Sequence, residues 1–368
     1  MRNILFFQPA LPSYRMDFFH RLSIYYGDAM RVYFSPEDLG PLTEAQGGNQ
    51  WSEPIGPMLH PFTGVDWQVG ALSISIKRED IVIVCGAPRN LSTLLLLVKA
   101  RIKGARTIWW GQYWSATTEA RRHRLRMKLS RLADALLFYT DAEVARFHAD
   151  GWTHPGPVGA LNNGINLTQA CRLRRTFDPA ERGCNLLFIG RLTEKAQLGL
   201  MISALADPGL GDCHLHVIGD GSQGETLRAQ AVSMGVTDQI TWHSGTTDEE
   251  YIAKIANQCA AFVYPGQVGL SLIHAMAYGL PSVVHGDRLR QMPEIAAFVE
   301  GQTGTSFEPG SDTALARTIV GLLSNRERLR DMAKTCTAMV EQNFTTEGMA
   351  KRFVEFVDAF AAQKERAG

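Results

Sequence analysis

The chain has 368 residues, 45% hydrophobic and 20% charged, and its 37 basic and 37 acidic side chains leave no net charge. That composition fits a packed globular protein of about two domains and excludes a disordered, fibrous or uniformly basic nucleic-acid-binding chain. Cys85, Cys171, Cys184, Cys213, Cys259 and Cys336 are scattered with no Cys-x-x-Cys pair, so reduced thiols are expected rather than disulfides or zinc ligands.

Ile4 to Phe7 opens the chain as a buried strand, too short for a signal peptide and ended by Pro9. Gln8 to Arg15 is a loop, Met16 to Tyr25 a helix with Phe18, Phe19, Leu22 and Ile24 apolar, and Met30 to Phe34 a second strand. Pro36 to Trp67, rich in Gly, Pro and polar residues, is expected to loop over the surface. Asp80 to Cys85 is a buried strand, Leu91 to Lys103 a helix, and 106–110 and 135–139 are further strands. The run Leu94 to Val98 falls far short of the ~20 apolar residues that span a bilayer. Strands alternating with helices predict a parallel, doubly wound sheet.

Residues 121–131 carry six Lys or Arg, with Leu125, Leu129 and Leu132 as a narrow apolar stripe. This basic amphipathic helix is either a solvated face or a contact for anionic lipid or a lipid-pyrophosphate acceptor. Turn residues 162–166 and the polar connector 172–182 mark a domain boundary, and the pattern then restarts. Strands are expected at 185–190, 214–218, 239–242, 261–264 and 281–284, with helices at 199–205, 224–234, 248–257 and 270–278 between them. The division expected is 1–168, 169–345 and a last segment 346–368. Ligands of open α/β sheets bind beyond the carboxyl ends of the strands.

Those strand ends carry Gly190-Arg191-Leu192, Gly219-Asp220-Gly221, Gly245-Thr246, the loop 265–270 and Gln291 to Glu294. Pro265, Gly266 and Gly269 break the strand at 261–264, and Gly279 with Pro281 stops the helix that follows. A glycine loop running into a helix start leaves backbone N–H groups free, which suits a phosphate; the alternative is an ordinary buried strand-helix unit. Arg191 just past a strand end can bind a diphosphate bidentately or form a surface ion pair. His214 and His216 alternate on a strand without a completing ligand, so no metal site is expected.

The order of these motifs, completed by Gly269-Leu270-x4-Ala-Met-Ala-x-Gly279-x-Pro281, resembles the retaining nucleotide-sugar glycosyltransferases of the GT-B fold, and most of all their large family four. It covers about 184–325 motif by motif, and the first domain by architecture alone. The resemblance implies an α/β GT-B protein of two Rossmann-like doubly wound domains facing a central cleft, with the last helix, Met349 to Gln363, returning to the first domain. It implies a metal-independent hexosyl transfer, with retention, from a UDP- or GDP-linked sugar to a glycan or lipid-linked acceptor. Bacterial polysaccharide biosynthesis is the expected setting. The implied place is cytoplasmic, at the inner face of the plasma membrane where 121–131 touches it. The nucleotide-sugar is a substrate; no cofactor, metal or nucleic acid is expected.

Residue by residue, Arg191 and Lys195 are the implied phosphate cations, although the family's lysine falls on Ala196. Gly190, Gly219, Gly221, Gly245, Gly266, Gln267, Val268, Gly269, Leu270, His274 and Glu294 are the implied donor contacts. The family's paired glutamates fall on Gly266 and His274. His274 either accepts a ribose hydroxyl through a neutral ring nitrogen or packs, and backbone of Gln267 to Leu270 or the Gln267 side chain takes over from the first glutamate. Glu294 either caps a helix or faces the donor. In the first domain Gln112 stands where relatives carry a histidine near the donor sugar, and Pro9, Pro12, Ser13, Tyr14 and Arg15 replace the paired glycines of the first loop. The departures at Ala196, Gly266 and His274 leave two rivals: a nucleotide-sugar-binding protein with weakened catalysis, and an epimerase or phosphorylase on the same fold.

Overall fold

The computed structural model describes residues 2–36, 48–114 and 120–365. They form two units, Met1–Asn163 with Thr346–Gly368, and Gly164–Thr345, so the division falls before the expected 168/169.

The first unit is built on strands β1 (Ile4–Gln8), β2 (Met30–Phe34), β3 (Ser52–Pro54), β4 (Met58–Phe62), β5 (Val65–Gln68), β6 (Ile81–Cys85), β7 (Arg106–Trp110), β8 (Ala135–Phe138) and β9 (Val158–Ala160). Seven of them form one parallel sheet in the order β3-β2-β1-β6-β7-β8-β9. Ile81-Val-Ile-Val84 is wholly buried because helices cover both faces of a parallel sheet. Helices α1 (Met16–Tyr26), α2 (Leu91–Lys103), α3 (Ala120–Ser130) and α4 (Asp141–Ala149) join the strands. Asn90 caps α2 by accepting from the Thr93 N–H, and Gly104, at φ +74°, ends it.

One stretch differs from its sequence reading. Within 36–67, β3 extends the sheet (Val32 opposite Ser52), and β4 and β5 make an antiparallel hairpin turning at Gly64. Gly56, Pro57 and Pro61 hide the strand alternation there, and partners β2 and α2 supply the order; 37–47 lie outside the described residues. The helix α3 leaves both readings of 121–131 open. It turns Met127 and Ser130 inward and sets His123 edge-on to Tyr113 at 4.7 Å, leaving Leu125 and Leu132 exposed.

The second unit carries β10 (Asn185–Ile189), β11 (His214–Ile218), β12 (Ile240–His243), β13 (Ala261–Tyr264), β14 (Ser282–His285) and β15 (Gly304–Phe307). All are parallel, in the order β12-β11-β10-β13-β14-β15. Helices α5 (Thr168–Leu173), α6 (Pro179–Arg182), α7 (Leu198–Leu205), α8 (Gly224–Ser233), α9 (Glu249–Ala256), α10 (Leu270–Ala277), α11 (Asp312–Leu323) and α12 (Arg326–Asn343) follow the chain. The final helix, α13 (Thr346–Glu365), belongs to the first unit, where Phe353 meets Phe6 at 5.2 Å and Phe18 at 5.9 Å.

Each sheet grows outward from its first strand and then restarts on the other side. The strand order therefore reverses between β1 and β6, and again between β10 and β13. At such a reversal the two following loops part in opposite directions and open a crevice beyond the strand ends.

Candidate functional site

The crevice of the second unit is lined by backbone. After β10, the Gly190 N–H donates to Ile218 O (3.0 Å) and that of Leu192 to Asp220 O (2.9 Å), which ties the first two loops together. A Cβ at Gly219 would overlap the Gly190 carbonyl, and one at Gly221 the Leu192 carbonyl, so only glycine permits this approach. Asp220 in turn accepts from the Gly245 N–H at 2.8 Å. Loops after β10, β11 and β12 thus form one connected rim.

Across the reversal, β13 ends in Tyr264, stacked on Phe188 at 4.9 Å, and α10 begins at Leu270. Gly269 precedes it with no side-chain cap, and the first turn holds no acidic residue. The first N–H groups of a helix have no partner within it, and the helix dipole adds positive potential there. Two of the four backbone donors expected in this loop are already used. The Gln267 N–H donates to Lys195 O (3.0 Å) and that of Val268 to Gln291 Oε1 (2.8 Å), so Gly269 and Leu270 are the ones left for a ligand. Gln291, buried, also donates to His285 O at 3.3 Å and holds the loop; nothing in the sequence marked it beyond its place before Pro293. Glu294 is buried with its carboxylate near Gly269, at the positive end of α10.

Arg191 and Lys195 are both exposed on the loop after β10, while Ala196 is 1% exposed. A Cβ at Gly266 would overlap the Lys195 carbonyl and crowd Ala196. Positions 196 and 266 therefore touch backbone to backbone. A side chain at 266 would force the two loops apart, and Lys195 is the cation that the turn presents to solvent.

His274, on the second turn of α10, is not a packing residue alone. Its Nε2 lies 2.7 Å from Glu249 Oε1, which also accepts from the Tyr278 hydroxyl. Burial would raise the Glu249 carboxyl, but the hydrogen bonds from His274 and Tyr278 outweigh it and hold the group below its usual value. An ionised carboxylate only accepts, so Nε2 carries a proton toward it. Glu249 and Tyr278 were not singled out from the sequence, because Glu249 is 25 positions from its partner.

The first unit's crevice is filled differently. Arg15 lies over Trp110 at 4.8 Å, Tyr14 at 5.4 Å and Tyr139 at 5.5 Å, and its Nη1 donates to Asn163 Oδ1 at 3.2 Å. Gln112 follows β7, half-buried, in a loop where Gly111 packs on Gly86. It belongs to the first unit, as does the loop of Pro9 to Arg15, whereas the other residues expected at the site lie in the second.

Residues 173–339 match the family model described as glycosyl transferases group 1. An N-acetyl-α-D-glucosaminyl L-malate synthase of Bacillus anthracis is 24% identical over 142 residues, 39% of this chain and 36% of that protein. The match thus spans about a third of the relative's length. Among solved structures, a lipopolysaccharide outer core galactosyltransferase, WaaB, superposes with a TM-score of 0.71 at 14% identity, covering 98% of this chain and 99% of that one. Alr3699/HepE of Anabaena in complex with UDP gives 0.68 at 15%, covering 97% and 100%. Such likeness carries the fold, an α/β GT-B architecture of two domains with parallel sheets.

Proposed function

We propose, for a chain of GT-B fold whose residues 173–339 match the glycosyl transferases group 1 model, that it moves a hexose with retention from a nucleoside diphosphate to a glycan or lipid-linked acceptor. The single observation that carries the donor site is the start of α10, which no side chain caps, at the β10/β13 reversal beside the loop bearing Arg191 and Lys195. Glycosyl departure builds charge on the leaving phosphate. Fixed N–H groups and side-chain cations stabilise that charge without reorganising, so no metal ion is required. Gly269 and Leu270 supply the N–H groups, Arg191 a planar fork and Lys195 a point charge.

His274 Nδ1 accepts a ribose hydroxyl, with Glu249 fixing the tautomer. The rim of Gly190, Gly219, Gly221 and Gly245 lets the nucleotide approach backbone, and Glu294 turns toward the donor from the far side of Gly269. The UDP complex of Alr3699/HepE and the galactosyltransferase named above support a UDP-sugar as the first donor to try, in bacterial surface-polysaccharide assembly on the cytoplasmic side.

The test is nucleotide release from a panel of UDP- and GDP-sugars with a lipid-linked glycan acceptor, in wild type, Arg191→Ala and Lys195→Ala. Release that drops at least about a hundredfold in Arg191→Ala supports transfer. The rival of a binding protein without catalysis is favoured by Gly266, where no side chain can stand in for a glutamate. Tight nucleotide-sugar binding with no release across acceptors would establish that rival instead.

A further inference from the structure

Charge balance is even over the whole chain but not within it. Residues 81–131 hold eleven Lys or Arg against one acidic residue, Glu119. Those residues include both α2 and α3, which join β6 to β7 and β7 to β8 and pack on the same face of the first sheet. Leu96, Leu97 and Ala100 of α2 share one core cluster with Met127 of α3, so the outward faces of the two helices point the same way, off the sheet.

On α2 that outward face is apolar. Leu91, Leu95, Val98 and Ile102, spaced i, i+4, i+7 and i+11, form one exposed stripe, with Ile102 78% exposed. Lys99 does not break it, because its Nζ is turned to the carbonyls of Leu72 and Ile74 at 2.7 and 2.6 Å. At the start of α2 the β4–β5 hairpin adds Leu59 and Phe62, the latter 76% exposed; the Asp66–Asn90 bridge holds the hairpin there. On α3 the outward face is Arg121, Arg122, Arg124 and Lys128 with exposed Leu125, and Arg131 and Leu132 follow the helix. Asp66, the acid within the hairpin, is paired to Arg89 at 2.6 Å.

The geometry points to this face of the first unit as a docking surface for a bilayer containing anionic lipid, with the α2 stripe and Phe62 entering the interface and the α3 cations meeting the headgroups. Apolar side chains flanked by a one-signed row of Arg and Lys match a surface that is negative outside and hydrocarbon within. A second copy fits worse, since a two-fold contact would set one cationic row against its own image. The surface differs from the one expected on residues 121–131, because the main apolar component lies on α2.

The inference stands apart from the transfer reading, and its test uses no donor. The full chain is floated with vesicles of phosphatidylcholine alone and of phosphatidylcholine mixed with phosphatidylglycerol, at low and high salt. The wild type is expected to float with the mixed vesicles only, less so at high salt. Arg124→Glu with Lys128→Glu should lower partition roughly thirtyfold, from about a factor of five per basic residue at an anionic surface. Leu95→Gln with Ile102→Gln should lower it at least about tenfold, since each loses an apolar side chain from the interface. Both pairs are exposed, so unchanged melting temperatures are expected and are measured alongside. Equal floating with both vesicle types, no floating at all, or floating untouched by the Leu95/Ile102 pair overturns the proposal. So does a dimer in sedimentation that this pair dissociates.

Discussion

The two units have the same parallel-sheet logic and the same reversal of strand order, yet their crevices are finished in opposite ways. At β1/β6 the crevice is plugged by a side chain: Arg15 lies among Tyr14, Trp110 and Tyr139 and bonds to Asn163. At β10/β13 it is lined by glycine and by the start of α10, which no side chain caps, with Arg191 and Lys195 exposed. The guanidinium at β1/β6 is already satisfied by rings and an amide, so it orders the fold around it. At β10/β13 the Gln267 and Val268 N–H groups are used within the chain, and those of Gly269 and Leu270 are arranged for a group the chain does not contain. Topology makes both crevices; side-chain occupancy decides which one stays open for a small anionic ligand.

Substitutions can break that contrast, and the largest effect is expected at Arg191. Arg191→Ala should cut nucleotide release by about 10²- to 10³-fold, or about 3–4 kcal/mol of barrier, while the melting temperature stays put because the side chain is exposed. Ala196→Lys, the residue that the resemblance would place there, should act on stability instead. At 1% exposure a lysine there would bury a charge, and a loss of about 3 kcal/mol in chemical denaturation is expected. A rise in activity at unchanged stability would contradict that account of the turn.

The matching change in the first unit is Arg15→Ala. It removes a cation stacked on three rings and a hydrogen bond to Asn163, so a loss of about 2 kcal/mol of stability is expected, with nucleoside diphosphate affinity kept within about twofold. The smallest effect concerns pH and the edge of the second sheet. Burial pushes the His216 imidazole down to about 4, helped by His214 and His243, with His243 3.2 Å away. A histidine whose folded value is depressed holds the fold while neutral, so stability is full above the ordinary value of 6.5 and falls as pH drops from there toward about 4. The ring is about half exposed, and screening limits the change to about 1 kcal/mol. His216→Phe should flatten that slope in a denaturation series across the same pH range.

How much of this was legible in the sequence follows the range of the forces involved. Strands such as β6 and the helix α2 are set by local pattern, by Ile81-Val-Ile-Val84, the Asn90 cap and the Gly104 stop, and the structure has them at or near the expected bounds. The hairpin β4–β5 was not legible, because prolines and glycines interrupt its alternation and α2 holds it in place. Which leucines of a run such as Leu94 to Val98 face water is decided by packing on the sheet, so the α2 stripe was hidden inside what looked like core. In the site, the motif order located the loops. It did not reveal that the Gln267 and Val268 N–H groups are used internally, or that Glu249 aligns His274, since both facts rest on partners at least 23 positions away along the chain.

The central claim is that the β10/β13 crevice seats a nucleoside diphosphate through its phosphates. Calorimetric titration of UDP, GDP and ADP, each against its own nucleoside, tests it most directly. One diphosphate should bind at least about a hundredfold tighter than its nucleoside, and Arg191→Ala should erase most of that difference, because two charge-assisted contacts to phosphate are worth about 3 kcal/mol. Equal affinity for the diphosphate and the nucleoside, or a phosphate preference untouched by Arg191→Ala, would contradict it.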